Sequence, residues 1–96
     1  MYKRWKNHCP AEADPGDLKK VLRHYLGPWL TEKKGRGSHQ LIVEHVALRY
    51  HSAFGGKDTL AISLESGRLV KGVYVNHALK AIDCVQLYNK VIEEKE

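Results

Sequence analysis

The hydrophobic pattern of this chain changes period at one point, and that change limits what it can fold into. Leu18, Val21, Leu22, Tyr25 and Leu26 recur at i, i+3, i+4, i+7 and i+8, an amphipathic helical stripe with Lys19, Lys20 and Arg23 on its wet side. Asp14-Pro15-Gly16-Asp17 supplies the start: Asp14 as N-cap, Pro15 at the first helical position, acidic Asp17 in the first turn. Gly27-Pro28 ends the helix. Beyond it the apolar residues fall into short runs with the two-residue period of strands, so a helix must be laid against a sheet.

Trp29 to Lys34 reads as an edge strand, Gly35-Arg36-Gly37 as a turn, and Ser38 to Glu44 as a second strand with Leu41 and Val43 on one face. Val46, Leu48 and Tyr50 carry the opposite parity, so an irregularity is expected near His45, because a strand cannot change faces without a bulge or break. His51 to Asp58 reads as a loop. Leu60, Ile62 and Leu64 alternate as in a half-buried strand, Ser66-Gly67 makes a hairpin turn, and Leu69 to Val75 returns as the last strand. Asn76 to Leu79 is a connection or an early helical turn, and Ile82, Val85, Tyr88 and Ile92, widened by Leu87 and Val91, mark a closing helix that ends in acidic residues unfavourable to its dipole. The expected fold class is α+β: helix, three- or four-stranded antiparallel sheet, helix, with both helices on one face in a two-layer sandwich. The expected core is Leu18, Val21, Leu22, Tyr25, Leu41, Val43, Ile62, Val85 and Ile92. Residues 1–13 show no periodicity and read as an N-terminal arm on a single domain spanning 14–96.

Ninety-six residues suffice for one core. No apolar run spans a bilayer, and the basic start Met1-Tyr2-Lys3-Arg4-Trp5-Lys6 lacks the apolar stretch of a signal peptide, so a cytoplasmic protein without membrane contact is expected. Cys9 and Cys84 lie far apart with no CxxC pair, which argues against a disulfide scaffold. The net charge of +5 is unevenly placed: residues 1–40 hold nine Lys/Arg against four Asp/Glu, residues 41–96 seven against seven. Such an excess either keeps a surface wet or draws a polyanion.

Familiar chemical motifs are missing. There is no phosphate-binding Gly-Lys-Ser loop, no Gly-x-Ser-x-Gly elbow and no zinc spacing among the six histidines, so no cofactor and no metal is expected. His39 has a distinct setting, just past two glycines, Lys33, Lys34, Arg36 and Ser38, at the start of a strand that would hold its ring. Imidazoles suit proton transfer from a ribose 2′-hydroxyl or to a leaving oxygen, and nearby cations stabilise charge developing on phosphate. The residues alone leave open a histidine that merely caps the turn.

Gly37-Ser38-His39, following a helix that ends in glycine and a short basic strand, resembles the signature of the HicA (YcfA-like) family of toxin ribonucleases. The resemblance covers roughly residues 17–93, through Leu18-Lys-Lys-Val-Leu-Arg, Lys34-Gly-Arg-Gly-Ser-His, Val73-Tyr-Val-Asn-His77 and a final helix over Ile82 to Ile92. It differs in Gln40 after the motif, a longer 46–66 stretch, and Tyr74 where the family's last strand carries proline. The resemblance implies a fold like a double-stranded-RNA-binding domain and an endoribonuclease toxin that cleaves mRNA without metal. It implies His39 as the catalytic residue, RNA and a HicB-like antitoxin as partners, and Lys33, Lys34, Arg36 and Ser38 as RNA-binding residues. Two rival readings are a non-catalytic RNA-binding module of the same fold and a protein-interaction domain with an acidic partner.

Overall fold

The computed structural model describes residues 1–35, 38–65 and 67–95. The chain is α+β. The helix that the sequence places first is α2, Pro15–Leu26, because a shorter helix, α1 (Tyr2–Asn7), and a two-residue strand, β1 (Glu12–Ala13), precede it. Asp14 caps α2 as expected, its side chain accepting the Gly16 amide at 2.8 Å, and a 3₁₀ turn over Gly27–Trp29 ends it. Leu18, Val21, Leu22 and Leu26 of its stripe are buried, while Tyr25 is only partly so.

The main sheet is antiparallel with strand order β2-β3-β4, formed by Leu30–Gly35, Ser38–Glu44 and Thr59–Glu65. Gly35 faces Ser38 across the first pair, which puts the expected turn at residues 36 and 37, outside the described residues. One face of the sheet carries Leu41 and Val43 of β3 and Leu60, Ile62 and Leu64 of β4, all buried. It meets the helices: α2 packs on β2, and α3 (Gly72–Lys95) on β4 and on α2. The other face carries the exposed Thr31, Lys33, Gln40, Glu44, Ala61 and Ser63 around a half-buried Ile42.

The parity break near His45 is present. β3 stops at Glu44, and the chain turns through 3₁₀ segments at Val46–Tyr50 and Ser52–Phe54 where a plain loop was expected. Ala47, Leu48 and Phe54 from these turns join the core, so the 46–58 stretch is a built corner. Arg49 and Asp58 fasten it with paired hydrogen bonds of 2.7 Å.

Three expectations are corrected. Residues 1–13 are no loose arm: Trp5 is buried, Tyr2 and Lys6 bond Asp83 of α3, and β1 pairs with β5. The strand expected from Leu69 to Val75 shrinks to β5, Val70–Lys71, which leaves the main sheet to form a separate two-stranded ladder with β1. Of its hairpin turn, Ser66 lies outside the described residues and Gly67 has φ +74°. From Gly72 on the chain is helical, because Val75, Ala78, Leu79, Ile82 and Val85 form a buried stripe at 3.6-residue spacing that outweighs the β-branched alternation of Val73 and Val75. Val73 to His77, likened above to a family strand, therefore lies inside α3. Finally, Ile92 is 39% exposed and outside the core, since α3 outruns the sheet beneath it.

Candidate functional site around His39 and Glu32

Two residues on neighbouring strands meet at the helix-facing side of the sheet, one near and one beside the last described pair of the β2–β3 hairpin, Gly35 with Ser38. In β2, Leu30, Glu32 and Lys34 share one face, and in β3, His39, Leu41 and Val43 share the same face, since Lys34 pairs with His39 and Glu32 with Leu41. The buried Leu41 and Val43 fix that parity, and with it the side to which His39 turns. His39 is thus set toward the helices but at the rim, where its side chain keeps 25% exposure.

Glu32 is the hub. Its Oε2 lies 3.2 Å from His39 Nε2 and 3.2 Å from Lys19 Nζ, and its Oε1 lies 2.5 Å from Arg23 Nη2. Lys19 and Arg23 are one helical turn apart on α2, so a single face of that helix presents both cations to the carboxylate. Burial by itself would raise the carboxyl's pKa, but hydrogen bonds from Lys19, His39 and Arg23, together with the charge of Arg23, outweigh it and lower the pKa to about 2. The carboxylate is therefore ionised throughout the neutral range. Two cations, Lys19 and Arg23, meet one anion, leaving the cluster net positive without any charge on the imidazole, and Lys34 stands exposed across the strand pair from His39.

The residues expected to form a site divide. His39 and Lys34 come together across the β2–β3 ladder, while Lys33 sits on the opposite, open face beside Gln40. Arg36 and the side chain of Ser38 lie outside the described residues. Lys19, Arg23 and Glu32 were not singled out from sequence. Once Gly35 pairs with Ser38, Glu32 lies diagonally across the hairpin from His39 on one face, within reach of a long side chain, whereas the turn expected at Gly35-Arg36-Gly37 would have set Glu32 opposite Gln40.

The other histidines have structural employment or lie at the surface. His45 Nδ1 accepts the Ala47 amide and His51 Nδ1 the Ala53 amide, each at 3.0 Å, capping the two 3₁₀ turns. His45 is also wedged edge-on between Trp29 and Tyr88, and this burial lowers its pKa. His77 meets Phe54 edge-on, and His8 and His24 are exposed. Among the described residues no three His, Cys, Asp or Glu side chains gather as metal ligands, and both cysteines are free. Among the described residues no helix is long and apolar enough to cross a membrane.

No family model, curated protein or solved structure matches this chain.

Proposed function

We propose that the chain is a metal-independent endoribonuclease of the HicA type, acting on mRNA in the cytoplasm, with His39 as general acid and base. The observation that supports this reading is a partly exposed imidazole held by an ionised carboxylate in a net-cationic cluster with Lys19 and Arg23, with Lys34 across the strand pair. In the reaction His39 takes the proton of a ribose 2′-hydroxyl, and the 2′-oxygen attacks the adjacent phosphorus. The bond from phosphorus to the 5′-oxygen breaks, and the proton passes to that leaving oxygen. The products are a 2′,3′-cyclic phosphate and a 5′-hydroxyl, so no water is consumed and no metal is needed. The cations oppose the charge that builds on the phosphate oxygens. The same cationic face suits a HicB-like antitoxin that presents acidic residues to it.

The test is cleavage of RNA by the purified chain in the presence of a chelator. Wild type should cleave, and His39→Ala should lose about 10²–10⁴-fold, the range for removing a positioned acid or base. Salt-sensitive RNA binding without cleavage would replace this reading with a non-catalytic RNA-binding module, and binding of an acidic protein but not RNA with an interaction domain.

A further inference from the structure

We propose that Glu32 is the positioning residue of His39, fixing the imidazole as its Nε2–H tautomer and so presenting Nδ1, with its lone pair free, to a ligand. An ionised carboxylate can only accept hydrogen bonds. At 3.2 Å from Glu32 Oε2, His39 Nε2 must therefore carry the hydrogen. A neutral imidazole has one N–H, and Nδ1 is then the acceptor.

Glu32 is well held for this task. Its backbone is paired with β3, its oxygens are clamped by Lys19 and Arg23, and its side chain is only 19% exposed. A rotation that broke the bond to His39 would also disturb two ion pairs. The contrast with the other ordered rings is informative: His45 and His51 use Nδ1 on backbone amides, whereas the contact at His39 engages the opposite nitrogen. Under the ribonuclease reading, on which this consequence rests, Nδ1 is the atom that receives the 2′-hydroxyl proton. Glu32 stabilises the imidazolium formed at that moment and never touches the RNA.

The inference is tested on the full chain by recording the imidazole ¹⁵N shifts of His39 above its titration, and the steady-state cleavage of a fluorogenic RNA oligonucleotide. In wild type the neutral ring should be the Nε2–H form. In Glu32→Gln, whose amide can donate to Nε2, the Nδ1–H form should gain population and kcat should fall about 10–100-fold with KM nearly unchanged. Glu32→Asp, still an acceptor only, should keep the Nε2–H form. A wild-type ring in the Nδ1–H form would overturn the proposal whatever the activity, and would decide the matter even if Glu32→Gln failed to fold. Glu32→Gln cleaving as wild type would overturn the positioning role. If His39→Ala cleaves like wild type, the ribonuclease reading fails instead, and the tautomer measurement still judges the pair.

Discussion

Gly72 stands where α3 begins against the N-terminal segment, its amide donating to the Ala11 carbonyl at 2.7 Å. A Cβ there would collide with the carbonyl oxygen of Pro10, so the position needs glycine for room rather than for an unusual backbone angle. Gly72→Ala should cost about 1–3 kcal/mol and loosen residues 1–13, measured as a lower urea midpoint and faster proteolysis of the N-terminus. His45 and Glu32 both contribute to the pH dependence of stability. Burial depresses the folded pKa of His45 below its usual value near 6.5, so the neutral ring's contribution is complete above that pH and declines as pH falls through the lowered folded value. Glu32, at about 2 against 4.5, contributes fully above 4.5 and loses that contribution as pH falls through about 2. The urea midpoint should therefore drop first just below pH 6.5, and His45→Gln should remove that first drop while leaving the more acidic one.

α2 was legible because local signals agreed: an Asp14 cap, Pro15 at the first position, a five-residue stripe and a Gly-Pro stop. β4 was legible from strict alternation, and the end of β3 from a parity that no strand can carry through His45. α1 was not, because six residues hold too few turns to show a period, and Trp5 is buried by contacts with distant residues. The onset of α3 was misread because Val73, Tyr74 and Val75 favour strands, and only the longer stripe from Val75 to Val85 decides for a helix. At the site, His39 was legible from its neighbours in sequence, whereas Glu32 became visible only through the strand pairing and Lys19 and Arg23 only through helix docking. The packing also separates residues that sequence treated alike. Leu22→Ala, at a fully buried position, should cost about 2–5 kcal/mol. Ile92→Ala, on the overhanging end of α3, should leave the urea midpoint almost unchanged, within about 0.5 kcal/mol.

Across the molecule, two adjacent cations of the basic first 40 residues, Lys33 and Lys34, are divided by the sheet between its two faces, and this makes nucleic-acid binding testable by direction. Lys34 lies on the face of His39, and Lys33 on the other. If RNA binds at the His39 face, Lys34→Ala should flatten the slope of log affinity against log salt by about 0.7, the value for one phosphate contact on a single strand. Lys33→Ala should leave the slope near that of wild type, and the reverse result would move the RNA to the open face of the sheet. The β1–β5 ladder bears on a different matter, the order in which the chain is made. As synthesis proceeds, α2 and the β2–β3 hairpin can meet from segments that leave the ribosome close together in time, but the β1 residues Glu12 and Ala13 have no strand partners until Lys71 and Val70 emerge, and the Tyr2 hydroxyl does not reach its acceptor until Asp83 does. The segment that precedes α2 therefore completes its docking only after α3 is made, and until then the Tyr2 contact with the Tyr25 ring is what α2 offers it.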